Sequence, residues 1–209
     1  IIGILAGCIS QDGSSLRNTQ TMVFLGSSTT DGFTYAMLVK QALLDAGLPA
    51  PRIVNAGVGG DVTAGMRKRL ERDVLSFEPS LVVVQAGAND AGRKTSAIAL
   101  KADLDPIVKE LRGRGIEVVL LTPNVRGPKR ITEEPLLEQY ISAMREVGDA
   151  HGAKIADAYV LEQKARDCGE QFIEEDGLHL SFEGCRIIAR AVLDALGHPS
   201  VPVPKELSV

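Results

Sequence analysis

Aromatic residues are scarce in this chain of 209 residues, and positive charge is not in excess. Phe, Trp and Tyr together make up 4% of the sequence, and the formal net charge is −4 with a pI near 5.5. Nucleic-acid binding needs cationic side chains that neutralise phosphates and often aromatic rings on which bases stack. The composition therefore predicts no nucleic-acid partner.

Cysteine and histidine are rare as well, with three residues of each. They are Cys8, Cys168, Cys185, His151, His179 and His198. No two cysteines form a C-x-x-C pair, and the histidines lack the H-E-x-x-H spacing of helical zinc sites. We therefore predict that the protein holds no metal ion.

The chain also lacks a long apolar run at its start. Residues 1–10 are apolar but much too short to cross a bilayer. Leu5-Ala6-Gly7-Cys8 resembles a bacterial lipobox, in which the cysteine is lipidated after a signal segment is removed. This interpretation predicts export, either to the periplasm or to a lipid anchor at Cys8. In the alternative interpretation the segment is an apolar strand or arm that packs on the domain or on a neighbour. A cytoplasmic location is the alternative to export.

What remains has the size and composition of one globular domain. Residues 1–20 are predicted to form the apolar segment and a polar linker, residues 21–197 the domain, and residues 198–209 a C-terminal tail. Short, continuous apolar runs predict strands that are covered on both faces, at 22–25, 53–54, 81–84, 118–121 and, more weakly, 155–156. Longer amphipathic segments predict helices at 33–46, 64–77, 96–112, 133–151 and 182–196. This alternation predicts an α/β fold, with a parallel sheet of about five strands sandwiched between helices.

Polar and glycine-rich segments follow the predicted strands, where the ligand sites of parallel sheets lie. Four such segments stand out, at 26–32, 55–61, 87–90 and 176–179. The last contains Asp176 and His179, which are three residues apart and can interact only if a turn brings the carboxylate back to the imidazole. The first contains Ser28, a hydroxyl that follows a strand.

Each of these segments also has a purely structural interpretation. Ser28 alone is typical of a helix N-cap, and Asp176 with His179 could cap the last helix. The glycines at 57, 59 and 60 suit a tight turn, and Asn89 suits a turn in which it binds its own backbone. A dinucleotide-binding fingerprint is disfavoured because the glycine it requires at position 62 is Val62, so we predict no cofactor.

Taken together, the four segments resemble the sequence blocks of the SGNH subgroup of the GDSL esterase/lipase family, in the family order and over residues 21–196. The resemblance implies the SGNH hydrolase fold, a flavodoxin-like three-layer α/β/α sandwich. It also implies a nucleophile at Ser28, a base at His179 supported by Asp176, and an oxyanion hole that includes Gly60 and Asn89. In one departure, Ser27 occupies the usual position of an aspartate.

The chemistry of acyl transfer requires these residue types. A serine hydroxyl becomes nucleophilic when an imidazole accepts its proton, and a carboxylate fixes the tautomer of that imidazole. The amide N–H of Ser28, the amide N–H of Gly60 and the side-chain amide of Asn89 are the candidate donors to a developing oxyanion.

We therefore expect a serine carboxylesterase that hydrolyses small acyl esters, acetyl or short-chain, through an acyl-enzyme without metal or cofactor. The enzymatic alternatives are a carbohydrate deacetylase of the acetylxylan type, and a lysophospholipase or thioesterase. The alternative from another class is a catalytically silent module that binds an ester or a glycan.

Several residues outside these segments also carry expectations. Arg126 and Lys129 are interpreted as solvated residues of the loop 123–131, with an anionic substrate as the alternative partner. His151 and His198 are interpreted as solvated surface residues. Cys168 and Cys185 flank the Asp176 segment, and they are either bridged in an oxidising compartment or free thiols.

Overall fold

A computed structural model describes residues 20–208, and its centre is a five-stranded parallel sheet. The strands are β1 (Thr21–Gly26), β2 (Arg52–Gly57), β3 (Leu81–Gln85), β4 (Glu117–Leu121) and β5 (Lys154–Ala156). Their order across the sheet is β2-β1-β3-β4-β5, and every neighbouring pair is parallel. All carboxyl ends of the strands therefore lie at one edge, which confirms the predicted fold class.

Helices cover both faces of this sheet. They are α1 (Ser28–Asp31), α2 (Thr34–Asp45), α3 (Thr63–Lys68), α4 (Leu70–Asp73), α5 (Ala88–Gly92), α6 (Ala97–Gly113), α7 (Glu134–His151), α8 (Ala158–Asp167) and α9 (Phe182–Ala195). Two 3₁₀ turns lie at Leu75–Phe77 and Pro128–Glu133. Helices α6 and α7 pack on one face and α2 and α9 on the other, which gives three α/β/α layers.

The continuous apolar runs are explained by burial on both sides of the central strands. In β1, Val23 and Leu25 belong to the cluster beneath α6 and α7, whereas Met22 and Phe24 belong to the cluster beneath α2 and α9. All four side chains are fully buried. Successive side chains of a strand point to opposite faces, so a strand covered twice needs an apolar residue at every position.

The helix predicted at 64–77 is wrong as a single element. The chain forms α3, then α4, then a 3₁₀ turn, and the break between the two helices falls at Arg69, whose φ and ψ are −104° and 5°. Arg69 is buried and its guanidinium binds backbone carbonyls in the interior. Helical periodicity in the sequence does not reveal a cation that turns inward. Helix α8 was not predicted either.

The segment after α9 packs against the domain, which corrects one expectation. Arg190 of α9 donates hydrogen bonds to the carbonyls of His198 and Val201, and Val201 is buried. The His198 side chain is only partly exposed and its Nε2 atom is buried, so this histidine is less solvated than the sequence predicts. His151 is also partly buried and pairs with Asp105 at 2.8 Å.

The membrane-related expectations concern the start of the chain. The lipobox interpretation of Cys8 falls on residues 1–19, outside the described part of the chain. Within residues 20–208, no helix is both long and apolar enough to span a bilayer.

One buried carboxyl lies close to the loop that follows β4. Glu162 of α8 is fully buried, and its Oε2 accepts a hydrogen bond of 2.8 Å from the backbone N–H of Val125. Burial raises the pKa of Glu162 from 4.5 to about 8, and the hydrogen bond from Val125 offsets only part of this effect.

The raised pKa predicts the pH dependence of stability. The folded protein keeps the Glu162 carboxyl protonated to a higher pH than the unfolded chain does. The contribution of Glu162 to the free energy of unfolding therefore decreases as pH rises from about 5 to about 8. Glu162→Gln keeps an acceptor for the Val125 N–H and cannot ionise. The free energy of unfolding of this variant, relative to that of the parent, should therefore increase as pH rises over this interval. Urea unfolding of both proteins at several pH values measures the difference, and a difference that does not change with pH would contradict the assignment.

Candidate active site

Ser28 is the first residue of α1 and lies two residues after the end of β1. The carbonyl of Ser27 accepts hydrogen bonds from the amides of Thr30 at 3.0 Å and Asp31 at 2.8 Å, which closes the turn. Ser27 is the N-cap of α1 and makes no side-chain capping bond, so Ser28 is not the cap. The Ser27 side chain is buried, with its Oγ 3.4 Å from Gln85 Oε1. The turn is therefore held by backbone bonds at the position where the family has an aspartate.

The end of β2 supports this turn at very short range. Asn55 donates from Nδ2 to the carbonyl of Asp31 at 3.0 Å and accepts at Oδ1 from the amide of Gly57 at 2.8 Å. A Cβ atom on Gly57 would lie 2.2 Å from the Asp31 nitrogen and 2.6 Å from its Cα. Only glycine permits β2 to approach α1 so closely.

Asp176 and His179 lie in a tight loop between α8 and α9. Ile173 and Leu180 form an antiparallel bridge across the loop, and the amide of Glu174 donates to the carbonyl of His179 at 2.8 Å. Gly177 has a φ of 73°, which reverses the chain between the acid and the histidine. The loop therefore brings the carboxylate back to the imidazole, as the sequence analysis required.

The structure joins the three residues in one chain of hydrogen bonds. Asp176 Oδ2 lies 2.5 Å from His179 Nδ1, and His179 Nε2 lies 3.0 Å from Ser28 Oγ. Asp176 Oδ1 accepts from the amides of His179 at 2.9 Å and Leu178 at 2.8 Å, and these two bonds hold the pKa of Asp176 well below its usual range. The interpretation of Asp176 and His179 as helix caps is wrong, because Ser181 caps α9.

Asn89 binds the backbone of Asp61, the residue that follows Gly60. Asn89 lies in α5, after β3, and its Nδ2 donates to the carbonyl of Asp61 at 2.9 Å. Gly60 has a φ of 76°, and its carbonyl accepts from Arg93 at 3.0 Å. One N–H of the Asn89 side chain is thereby occupied, and the second is available to a ligand.

Asp90, the residue after Asn89, is structural. It is buried, and its Oδ2 accepts from the amide and the hydroxyl of Thr63 at 3.2 and 3.1 Å. Burial raises the pKa of Asp90, although the bonds from Thr63 oppose the increase. This carboxylate joins the start of α3 to α5, and so holds the loop that contains Gly60 beside Asn89.

Arg126 differs from both of its expected roles. Its side chain is fully buried, and it donates to Glu133 at 2.8 Å and to the carbonyl of Ala88 at 2.6 Å. It is neither solvated nor open to an anionic substrate, since both bonds are internal. The adjacent Gly127 amide donates to the carbonyl of Gly177 at 3.0 Å. Lys129 is exposed, as expected.

The cysteines and the acidic residues complete the description of candidate sites. Cys168 and Cys185 are free thiols rather than a disulfide. Among residues 20–208, no three side chains of His, Cys, Asp or Glu are grouped so that they could hold a metal ion. Sequence reasoning missed Asn55, Arg69 and Arg126 as supports of the site. Asn55 lies in the segment 55–61, whereas no motif marks Arg69 or Arg126.

Fold and site together define a three-layer α/β/α protein whose parallel sheet carries a hydrogen-bonded cluster of Ser28, His179 and Asp176 at its carboxyl edge. Residues 24–187 match the model of the GDSL-like Lipase/Acylhydrolase family, and the chain belongs to this family. The resemblance inferred from the sequence is therefore confirmed.

Curated relatives carry esterase names. The Esterase TesA of Pseudomonas aeruginosa is 34% identical over 110 residues, which cover 51% of this chain and 53% of that protein. The acetylxylan esterase of Geobacillus stearothermophilus is 25% identical over 211 residues, covering 85% of this chain and 94% of that protein. The match thus spans about half the length of the first relative and nearly all of the second. The family and these relatives support a carboxylic ester hydrolase.

Two further comparisons concern structure and location. The solved lipase/acylhydrolase from Enterococcus faecalis is 28% identical, with a TM-score of 0.76, covering 90% of this chain and all of that one. A protein of Bacillus subtilis named as the uncharacterized lipoprotein YqeF is 34% identical over 83 residues, covering 36% of this chain and 34% of that protein.

The contact between Gly57 and α1 predicts a large effect of one added methyl group. Gly57→Ala should lower the midpoint of thermal unfolding by about 2–10 °C, because overpacking against a backbone costs about 1–3 kcal/mol. Gly113→Ala is the matched control, since a Cβ atom at that position meets nothing within 4 Å. Equal midpoints for the two variants, measured by circular dichroism, would show that α1 moves away without cost.

Proposed function

We propose that the protein is a serine carboxylesterase that hydrolyses small acyl esters, acetyl or short-chain, through an acyl-enzyme intermediate. The single observation that carries the proposal is the hydrogen-bonded chain from Ser28 Oγ through His179 to Asp176. Its order and distances are those of a nucleophile, a general base and the carboxylate that orients the base.

The first half-reaction follows from these contacts. Ser28 Oγ attacks the ester carbonyl while its proton passes to His179 Nε2, 3.0 Å away. Asp176 accepts the Nδ1–H of His179, which fixes the tautomer and stabilises the imidazolium. The imidazolium then gives its proton to the leaving alkoxide as the C–O bond breaks, and the acyl group remains on Ser28.

The second half-reaction repeats these steps with water. His179 removes a proton from a water molecule that attacks the acyl-enzyme, and the same proton returns to Ser28 Oγ when the carboxylic acid leaves. Asp176 supports both halves only while it is ionised. Its low pKa, which follows from the amide hydrogen bonds, keeps the carboxylate charged at neutral pH and well below.

The oxyanion of each tetrahedral intermediate needs donors that are already in place. We assign this role to the amide of Ser28, the amide of Gly60 and the second N–H of the Asn89 side chain. The amide of Ser28 is in the first turn of α1, where backbone N–H groups have no acceptor within the helix. The other two donors are held beside each other by the bond from Asn89 to Asp61.

The exposure of the site favours a small acyl group and a leaving group that stays near solvent. The side chains of His179 and Asp176 are 48% and 47% exposed. Val58 lies in the glycine-containing segment 55–61. It is an apolar residue that is 44% exposed, and it can contact a short acyl chain.

The acetylxylan esterase relative favours a second candidate function, the removal of acetyl groups from carbohydrates, because it matches this chain over nearly all of its length. A silent binding module is disfavoured, since binding alone does not require a serine hydroxyl bonded to an imidazole.

The lipobox-like Leu5-Ala6-Gly7-Cys8 also supports a proposal about location. We propose that the protein is exported and anchored through Cys8. The resemblance to a lipoprotein-named relative favours export over a cytoplasmic location.

Two adjacent serines provide a matched test of the nucleophile. Ser28→Ala should lower kcat on p-nitrophenyl acetate by on the order of 10⁶, as should His179→Ala, because each removes a member of a unit that acts together. Ser27→Ala should keep kcat within about tenfold of the parent, since the Ser27 side chain makes only long contacts with Gln85. Full turnover by Ser28→Ala would overturn the proposed function.

A substrate series separates the candidate esterases. The open site predicts that kcat/KM falls as the acyl chain of p-nitrophenyl esters lengthens from acetyl to dodecanoyl, because the side chains of His179 and Asp176 are about half exposed. Release of acetate from acetylated xylo-oligosaccharides at a rate similar to that from p-nitrophenyl acetate would favour the deacetylase. A preference for dodecanoyl esters would contradict both, and would favour a lysophospholipase or thioesterase.

A further inference from the structure

Arg69 is a buried cation located behind the proposed oxyanion hole. Its side chain is 9% exposed and points into the domain. The helical segment is interrupted at this residue, between α3 and α4. Burying a guanidinium is costly unless its N–H groups are paired. Such a residue on an otherwise regular segment therefore calls for a structural or functional reason.

The acceptors of Arg69 lie where the catalytic loops leave the sheet. Its guanidinium donates to the carbonyl of Gly26 at 3.1 Å, two residues before Ser28, and to the carbonyl of Ala56 at 2.7 Å, near the end of β2. Its Nε donates to Asp61 Oδ2 at 2.7 Å, in the residue that follows Gly60. A weaker contact of 3.3 Å reaches Asp73 on α4.

Asp61 connects this cation to the third donor. Its carboxylate binds Arg69, while its backbone carbonyl accepts the hydrogen bond from Asn89 Nδ2 at 2.9 Å. Asp61 Oδ1 also accepts from the amide of Val62 at 2.9 Å, which restrains the same peptide. A shift of the Asp61 side chain would therefore move the backbone that fixes both Gly60 and Asn89.

We propose that Arg69, acting through Asp61, is a positioning residue that sets the oxyanion donors of Ser28, Gly60 and Asn89 relative to one another. This inference rests on the proposed esterase function. The planar guanidinium holds the carbonyls of Gly26 and Ala56 and the carboxylate of Asp61 in one fixed arrangement, which a lysine ammonium cannot reproduce. Preorganised donors lose much of their effect when misplaced, and a displacement of about 1 Å can cost about 10²-fold in rate.

Asp61 and Asp73 give a matched pair for the test. Both carboxylates bind Arg69. Only Asp61 also contacts Asn89, whose side chain donates to the Asp61 backbone carbonyl. Asp61→Asn should lower kcat on p-nitrophenyl acetate by about 10- to 100-fold with KM within about threefold, since transition-state contacts are affected and substrate binding is not. Asp73→Asn should leave kcat within about twofold, whatever it does to the midpoint of thermal unfolding.

A double-mutant cycle distinguishes positioning from general weakening of the fold. If Asp61 acts in part by placing Asn89, then Asp61→Asn should reduce kcat by a smaller factor in an Asn89→Ala background than in the parent, because one of the donors it places is already absent. The same loss in both backgrounds would overturn the inference, as would equal kcat values for Asp61→Asn and Asp73→Asn.

Two further variants keep the inference testable. If Asp61→Asn does not fold, the same measurements on Arg69→Lys replace it, with Arg67→Lys as the control because Arg67 is exposed and pairs only with Asp103 among the described contacts. Arg69→Lys at parental kcat would contradict the inference. Ser28→Ala in the same assay separates the two claims: if it is inactive while Asp61→Asn is fully active, only the positioning role fails, whereas an active Ser28→Ala removes the esterase itself.

Discussion

The site depends on one hydrogen bond, between Ser28 Oγ and His179 Nε2, which joins residues 151 positions apart in the chain. No local structure can form such a contact. It becomes available because five parallel strands place all of their carboxyl ends at one edge, so that the loop after the first strand and the loop before the last helix meet there. The double-sided apolar core that fixes the sheet is therefore also what fixes the distance between these two side chains.

Two buried arginines, Arg69 and Arg126, hold the loops of the site in place. Arg69 binds carbonyls near the ends of β1 and β2, and Arg126 binds the carbonyl of Ala88 at the start of α5. Each cation is paired with a carboxylate, Asp61 or Glu133, so that its desolvation is offset by short bonds. A guanidinium presents several N–H donors in a fixed geometry, so one side chain binds several of these carbonyls and holds the loops together.

The sequence was sufficient to predict the sheet and to name the three residues that the structure joins by hydrogen bonds, but not what supports them. Apolar runs covered on both faces identify β1 and β3 without ambiguity, and Ser28, Asn89 and His179 stand in motifs whose chemistry limits the choice. Arg126 was misassigned because a charged residue in a polar loop has no local mark that it will be buried. The helix expected at 64–77 failed for the same reason, since its apolar periodicity continues through the point where Arg69 turns inward.

Covalent labelling with a fluorophosphonate tests the central claim most directly. The reagent forms a bond from phosphorus to an activated serine oxygen and loses fluoride, so peptide mass spectrometry can locate the modified residue. The account predicts one label, on Ser28, and almost none in folded protein that carries His179→Ala. A label on another residue, or labelling of Ser28 at the same rate without His179, would contradict it.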